Sequence, residues 1–387
     1  MGKYNFDEEI NRYNTNSLKY DILRGRPKGI LPLWVADYDF KAPSFLLDEL
    51  KKRVDHGIFG YSEPTDSYFT ALKGWYKRRY DVDIDTNKVI LTCGVVFSIC
   101  QLIRSVTKEN DYIIINEPVY YPFKASIIAN DRLCISSDLK RIEDKYYFDF
   151  NDFEEKIKKH NVKAYILCNP HNPVGRCWKK EELEKVFEIC KRYNVFVISD
   201  EIHGDIVFNG NKFISAHKLL KKNFAVTSSL SKPFNIPGLQ AAHTYINEKE
   251  IYEKFLKELD RVGYSQLPTL GLVASEILFN KGDEYLEELK EYLWSNINFV
   301  KEYISKNLPK LKVIDIEATY LVWIDFSAYN LSDKELKDII THKCNLWLDD
   351  GLIFGKSGSK YQRINIATTK KMLEKALDNL YNVFKNL

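Results

Sequence analysis

The sequence VFVISDEIH, residues 195–203, places a carboxylate, Asp200, directly after an apolar and β-branched run. A continuous apolar run of this length is typical of a strand buried in a parallel sheet. The side chain that ends such a strand is partly removed from water, so an aspartate there favours a cationic partner. A helix N-cap is the other common use of aspartate, and this segment alone leaves both interpretations open.

Similar runs on both sides of this segment alternate with amphipathic stretches from about residue 85 to about residue 250. This alternation predicts an α/β fold in which parallel strands are joined by crossover helices. Towards the C-terminus, long helical patterns and a few strand-like runs predict a smaller α+β region. The predicted strands are 89–92, 112–116, 133–136, 164–168, 195–199, 224–228, 243–246, 311–316, 320–325 and 363–367, and 181–193 is a predicted helix.

The length of 387 residues exceeds what one hydrophobic core usually organises, so two domains are expected. The change of pattern near residue 285 predicts a large, mostly parallel-sheet domain over 48–285 and a small C-terminal α+β domain over 286–387. Residues 1–47 are expected to form an N-terminal segment that joins the small domain.

Composition excludes several classes of protein. Hydrophobic residues make up 45% of the chain and charged residues 29%, which is ordinary for a folded protein. The net charge of +3 is spread along the sequence, so nucleic acid is not expected as a partner. The polar N-terminus lacks a secretory h-region and no run is long enough to span a bilayer, so we expect a cytoplasmic protein without membrane contact. Seven cysteines without a C-x-x-C pair indicate reduced thiols and no metal site.

Three polar segments follow predicted strands, where open parallel sheets place their ligands. TCGVVFS, residues 92–98, joins a strand to a helix through Gly94 and could bind a phosphate, although plain turn chemistry is the commoner explanation of such a glycine. NPHNPVG, residues 169–175, is a rigid loop that directs an asparagine. SSLSKPFNIPGL, residues 228–239, places Lys232 between hydroxyl and apolar residues, where a lowered pKa would make the amine a nucleophile.

The order of these motifs, completed by Arg363 in YQRIN (361–365), resembles the fold-type I pyridoxal-phosphate enzymes, the aspartate aminotransferase superfamily. The resemblance covers nearly the whole chain and implies the fold of those enzymes, pyridoxal 5′-phosphate (PLP) as cofactor, and an amino-acid substrate. Five further segments are similar to the MalY/PatB-type C–S lyases, a branch with cystathionine β-lyases and cysteine desulfhydrases. They are FDE (6–8), SLKYD (17–21), PLWVADYDF (32–40), FGY (59–61) and PVYYPF (118–123).

The resemblance implies three catalytic residues. Lys232 matches the lysine that bonds covalently to PLP and moves the substrate Cα proton. Asp200 matches the carboxylate that pairs with the pyridine nitrogen and keeps it protonated. Tyr120 matches the aromatic residue that stacks on the cofactor ring. Tyr121 is a possible substitute for Tyr120 and is expected to line the substrate site.

Other residues are implied to bind the cofactor. Asn172 matches the donor to the ring 3′-oxygen. His203 lies where many aminotransferases have tyrosine, a departure shared with the lyase branch; a surface or helix-facing histidine is the alternative. The phosphate is expected to bind the backbone N–H groups of Gly94, Val95 and Val96, the hydroxyls of Ser229 and Ser231, and the phenol of Tyr61.

Two features concern the phosphate site and the assembly. In the family, the tyrosine that matches Tyr61 comes from the partner subunit, so a homodimer is expected. Gln240 stands where aminotransferases often have a phosphate-binding arginine, which is a second indication of the lyase branch.

The substrate α-carboxylate is implied to bind Arg363 bidentately, with the backbone of Val35 and Ala36 closing the site. The reaction implied is α,β-elimination of cysteine S-conjugates to thiol, pyruvate and ammonia. An aminotransferase of the same fold is the alternative, and a regulatory protein that retains the fold without catalysis is a third.

Overall fold

The computed structural model describes residues 2–22 and 26–387 of the chain. Its strands in those ranges are β1 Leu31–Pro32, β2 Val89–Thr92, β3 Tyr112–Ile115, β4 Leu133–Ser136, β5 Lys140–Ile142, β6 Lys145–Tyr147, β7 Ala164–Cys168, β8 Phe196–Asp200, β9 Phe224–Ser228, β10 Ala242–Ile246, β11 Lys312–Val313, β12 Leu321–Asp325, β13 Leu346–Trp347, β14 Asp349–Asp350 and β15 Tyr361–Asn365. Its α-helices are α1 Leu18–Asp21, α2 Ser44–Asp55, α3 Asp66–Tyr80, α4 Val95–Val106, α5 Pro122–Ala129, α6 Phe150–His160, α7 Lys180–Arg192, α8 Ala216–Leu219, α9 Lys249–Arg261, α10 Thr269–Lys281, α11 Asp283–Asn307, α12 Asp333–Asp338 and α13 Lys370–Phe384.

Seven strands form the central sheet in the order β2-β10-β9-β8-β7-β3-β4. Neighbours from β9 to β4 run parallel. All residues of β7, β8 and β9 are buried, as expected for strands covered by helices on both faces. The α/β fold with a mostly parallel sheet is therefore confirmed.

The prediction of a further parallel strand at 243–246 was wrong, because β10 runs antiparallel to both β9 and β2. A parallel neighbour needs a crossover connection, usually through an α-helix. Between β9 and β10 the chain forms loops and one short 3₁₀ turn, Pro237–Leu239, and returns beside β9 in the opposite direction.

The predicted helix 181–193 is α7, and its apolar spacing explains its orientation. Leu183, Val186, Phe187 and Cys190 lie three or four residues apart and are buried. Its charged residues occupy the other face. The sequence period therefore determines which side of this helix covers the sheet.

A second sheet of four strands has the order β11-β12-β15-β14 and runs antiparallel throughout. The predicted strand 311–316 is reduced to β11, Lys312–Val313, although the Ile314 N–H still donates to the Trp323 carbonyl oxygen of β12 at 3.0 Å. The predicted strand 363–367 begins two residues earlier as β15. The proposed domain boundary at 285/286 lies within α11 and stays a prediction.

The position of the polar loops follows from strand direction. β2 and β9 are both antiparallel to β10, so they point the same way, as do β7 and β8. Their carboxyl ends meet at one edge of the central sheet, next to β14 and β15 of the second sheet. None of the described helices is both long and apolar enough to cross a membrane.

Candidate active site

A cavity of about 360 Å³ lies at this edge of the central sheet. Its walls come from the loops after β2, β3, β7, β8 and β9, from residues 34–36, and from β14 and β15. Every site residue predicted from the sequence lines it, with Tyr61 the exception: Val35, Ala36, Gly94, Val95, Val96, Tyr120, Tyr121, Asn172, Asp200, His203, Ser229, Ser231, Lys232 and Arg363.

Lys232 lies in the loop that follows β9, and its Nζ donates a hydrogen bond to the Ala36 carbonyl oxygen at 2.9 Å. The pKa of this amine is lowered to about 8, mainly by burial and also by the nearby Arg363, while the carboxylates Asp37 and Asp200 oppose the lowering. About a tenth of the amine is therefore neutral at pH 7, far more than for an exposed lysine, and the neutral form is the one that nucleophilic or basic catalysis requires.

Asp200 is the last residue of β8 and is 3% exposed. One carboxylate oxygen accepts the Ile202 backbone N–H at 3.1 Å, and no ion pair in the described chain includes this side chain. Burial raises its pKa to about 7, against the smaller lowering effects of that N–H and of Lys232. Asp200 precedes a turn rather than a helix, so the N-cap interpretation was wrong and a partly satisfied, buried carboxylate faces the cavity.

Arg363 lies on β15 and is 3% exposed, and its guanidinium contacts several neighbouring groups. Nη1 donates to Asn172 Oδ1 at 3.0 Å and Nη2 donates to the Trp34 carbonyl oxygen at 3.0 Å. Nη2 also pairs with the Asp349 carboxylate, and the guanidinium lies 4.8 Å from the centre of the Phe354 ring. No acceptor among the described residues binds Nε, so the guanidinium retains a buried donor for a ligand.

Asp349 was not predicted from the sequence. It is the direct cross-strand neighbour of Arg363 in the β14–β15 pair, so both side chains point to one face. Burial raises its pKa while Arg363 acts in the opposite direction. In the sequence, two consecutive acidic residues at 349–350 are typical of a solvated loop. Only the register of β14 and β15 shows that Arg363 is the partner of Asp349.

The loop between β2 and α4 offers backbone donors. Helix α4 begins at Val95 with Gly94 as its N-cap and no side chain capping it, so the N–H groups of the first turn have no partner within the helix. A Cβ added at Gly94 would meet nothing within 4 Å, which shows open space beside this loop. The arrangement suits a bound anion.

Two serines of the loop after β9 differ in their availability. The Ser229 hydroxyl donates to the Ala241 carbonyl oxygen at 2.6 Å and accepts the Ser231 N–H at 3.0 Å, so in this structure its proton supports the loop. The Ser231 side chain also lines the cavity. Gln240 lies on the same wall with a left-handed backbone, φ 48°.

Tyr120 and His203 present rings to the cavity. Burial raises the pKa of the Tyr120 phenol well above its ordinary value, so it stays protonated. His203 is 4% exposed, which makes the surface interpretation wrong, and its Nδ1 has no hydrogen-bond partner in the part of the chain that the structure describes. Burial lowers the pKa of His203 to about 3, with Lys232 and Arg363 acting in the same direction, so the imidazole is neutral.

Tyr61 does not reach this cavity within one protomer. Its side chain is 97% exposed, and the neighbouring Ile58 and Phe59 are 65% and 59% exposed. Its predicted role in phosphate binding stays a prediction.

Comparisons with known proteins agree with this geometry. Residues 28–380 match the family model for aminotransferase class I and II. Cystathionine beta-lyase PatB from Bacillus subtilis (strain 168) is 37% identical over 380 residues, which cover 96% of this chain and 98% of PatB. The crystal structure of cystalysin from Treponema denticola, which contains a pyridoxal 5′-phosphate cofactor, has a TM-score of 0.96 and 35% identity over 99% of each chain. The PLP-bound C–S lyase from Staphylococcus hominis has a TM-score of 0.92 and 29% identity over 98% of each chain. This chain is a member of the aminotransferase class I and II family.

Proposed function

We propose that this protein is a PLP-dependent C–S β-lyase that converts cysteine S-conjugates to a thiol, pyruvate and ammonia. The observation that carries the proposal is the cavity itself, in which Lys232, Asp200 and Arg363 converge. The lyases PatB and cystalysin, similar over nearly their whole length, support the same reaction.

The residues of the cavity fit PLP. Asp200 is buried and forms no ion pair with the described residues, so a protonated pyridine nitrogen would supply a direct cationic partner. The first turn of α4 offers free N–H groups for a phosphate. The Asn172 amide oxygen already accepts from Arg363, which leaves its NH₂ group as a donor to a ring oxygen.

When bound, PLP supplies an electron sink for the negative charge that develops at the substrate Cα. Asp200 holds the proton on the ring nitrogen, because a buried carboxylate strongly favours a cationic neighbour. Lys232, whose lowered pKa leaves part of it neutral, accepts the proton from the substrate Cα. The Cβ–S bond then breaks and the sulfur leaves with the electron pair as a thiolate.

Arg363 holds the substrate in the orientation that this proton transfer needs. A guanidinium binds a carboxylate through two parallel N–H bonds, which fixes orientation as well as position. Contacts with Asn172, Trp34 and Asp349 fix the orientation of the Arg363 guanidinium before substrate binds. The aromatic ring of Tyr120, whose phenol stays protonated, provides a flat surface on which the cofactor ring would stack.

An aminotransferase would use the same cofactor-binding residues. The feature that distinguishes it from a lyase is therefore an additional cation in the cavity for its second substrate. A dicarboxylic 2-oxo acid needs a cation for its second carboxylate. Among the described residues that line the cavity, Lys232 and Arg363 are the cationic ones, and both have roles in the mechanism above. A catalytically silent regulatory protein is less supported, because the cavity contains the full set of predicted groups apart from Tyr61.

The cofactor after turnover distinguishes the two enzymes. We expect the purified, PLP-loaded protein to form pyruvate from L-cystathionine through many turnovers while its cofactor stays PLP. Accumulation of pyridoxamine phosphate, together with a requirement for 2-oxoglutarate, would contradict the lyase proposal and support the aminotransferase.

We infer a homodimer in which Tyr61 reaches the phosphate of the partner subunit. The exposed apolar segment around Ile58 and Phe59 supports this inference, because such surface favours contact with another protein. Mixing Lys232→Ala and Tyr61→Ala proteins tests it: half of the re-formed dimers are mixed and each has one intact site, so about a quarter of the sites recover. No recovery after subunit exchange would contradict the assignment.

A cytoplasmic location is also proposed, since all seven cysteines are free.

A further inference from the structure

Four charged side chains of the N-terminal region form a network that the mechanism above does not use. We call Arg12, Lys19, Asp37 and Asp39 the N-terminal charge cluster. Lys19 Nζ lies 3.0 Å from Asp39 Oδ2 and 3.5 Å from Asp37 Oδ1. Arg12 Nη2 lies 2.6 Å from Asp37 Oδ2, and its Nη1 lies 2.8 Å from Asp39 Oδ1. Two cations and two carboxylates balance, and the Lys19 side chain is fully buried.

The two carboxylates belong to the segment 33–39, whose main chain contacts the catalytic groups. The Ala36 carbonyl oxygen accepts the hydrogen bond from Lys232 Nζ at 2.9 Å. The Trp34 carbonyl oxygen accepts from Arg363 Nη2 at 3.0 Å. The position of this segment therefore determines where the proposed base and the proposed carboxylate binder lie.

Helix α1 is joined to the same segment through its main chain as well. The Trp34 indole Nε1 donates to the Lys19 carbonyl oxygen at 3.3 Å. Arg12, which precedes α1, donates from Nη1 to the Tyr38 carbonyl oxygen at 2.9 Å. Leu18, next to Lys19, lines the cavity. Lys19 thus links a wall of the cavity to the segment that holds the catalytic groups.

A stabilising role alone does not explain a buried lysine at this place. Desolvation makes a buried ion pair costly, and a well-packed apolar pair is often as stable or more stable. What a network of directed ion pairs adds is a defined position for the groups that it joins. The segment it joins is the one that contacts Lys232 and Arg363.

We propose that Lys19 is a positioning residue: its buried ammonium fixes residues 33–39 and thereby the amine of Lys232 and the guanidinium of Arg363. The inference rests on the proposed function for its kinetic consequence, but its structural consequence is independent of which reaction the site performs. Lys19 does not touch substrate and has no step of its own.

The test compares Lys19→Met with Lys41→Met. Lys41 follows the same segment and pairs with Glu8 of the same N-terminal region, but this pair is long, 3.6 Å, and the two side chains are 60% and 45% exposed. At equal PLP content, we expect Lys19→Met to lower kcat/KM by about 10- to 100-fold, with part of the loss as a raised KM, because small misplacements of catalytic groups have effects of this size. Lys41→Met should stay within about twofold of the wild type, as exposed ion pairs contribute little.

Hydrogen exchange followed by mass spectrometry gives a readout that does not depend on catalysis. Backbone amides of residues 33–39 should exchange faster in Lys19→Met, while those of β8 exchange as in the wild type and Lys41→Met is unchanged. The double variant Lys19→Met/Asp39→Asn keeps the charges of the cluster balanced. It therefore separates the effect of losing the Lys19 ion pairs from the effect of leaving a carboxylate unpaired. It should show the same faster exchange and the same kinetic loss.

Unchanged exchange of residues 33–39 in both Lys19 variants would overturn the inference. So would a loss of activity that merely follows the amount of folded protein, with KM unaltered. If the wild type forms no pyruvate from any cysteine S-conjugate, the proposed function fails, and the exchange comparison still decides the role of Lys19.

Discussion

Removal of the Arg363 guanidinium is expected to have two separable consequences, one for stability and one for catalysis. Arg363→Ala leaves Asp349 as a buried carboxylate without its cationic partner, because the two side chains pair directly across β14 and β15. Arg363→Ala/Asp349→Asn removes the same guanidinium without leaving that charge. The pair of variants therefore isolates the effect of the unpaired carboxylate.

The magnitude follows from burial of the pair, since Arg363 is 3% and Asp349 8% exposed. Breaking a buried ion pair by removing one partner costs about 3–5 kcal/mol of folding free energy. In both variants the Asn172 and Trp34 oxygens lose the same donor, so this cost cancels in the comparison. The double variant should therefore be about 3–5 kcal/mol more stable than Arg363→Ala.

Catalysis should respond differently, because neither variant can hold the substrate carboxylate. A charge-assisted hydrogen bond contributes about 1.5–3 kcal/mol, so both variants should lose about 10- to 100-fold in kcat/KM. The assays are urea unfolding at one protein concentration with saturating PLP, and steady-state kinetics with a cysteine S-conjugate. Recovery of activity in the double variant, or equal stability of the two variants, would refute the reasoning.

Two further predictions concern the cofactor. Burial holds the pKa of Asp200 at about 7 against an ordinary 3.8, so the folded cofactor-free protein retains a proton that the unfolded chain releases, and its stability should fall as the pH rises through this range. Asp200→Asn should flatten that decline in urea unfolding of the cofactor-free protein between about pH 4 and pH 7, and an unaltered slope would contradict the assignment. Gln240→Arg places a cation beside the predicted phosphate site at an unchanged left-handed backbone position, so PLP should dissociate about 10-fold more slowly, measured by transfer of PLP to an acceptor protein. Dissociation at the wild-type rate would indicate that the phosphate lies elsewhere.

The strand-end part of the site was predictable because strand ends converge, whereas Tyr120 and Arg363 were implied by the resemblance to the fold-type I PLP enzymes. Asp200 and Lys232 follow parallel strands, and a parallel sheet brings its carboxyl ends to one edge whatever the loops between them contain. The sequence period likewise predicted α7 and its buried face. Strand direction was less predictable, since the β-branched and aromatic residues that predicted β10 occur in parallel and antiparallel strands alike.

The features that the sequence did not reveal depend on long-range packing. The partner of Asp349 is 14 residues away and meets it only through the register of β14 and β15. Lys19 is fully buried although lysine is ordinarily a surface residue, and its partners are identified only once α1 contacts the segment 33–39. The role of Tyr61 stays a prediction, because it depends on a second protomer.

The most direct test of the central claim is the reaction of the PLP-loaded protein with L-cystathionine in the absence of any 2-oxo acid, with pyruvate and free thiol followed together. The account predicts equal amounts of pyruvate and thiol from the wild type and neither product from Lys232→Ala. Failure to form pyruvate from any cysteine S-conjugate, or turnover that requires a 2-oxo acid, would contradict it.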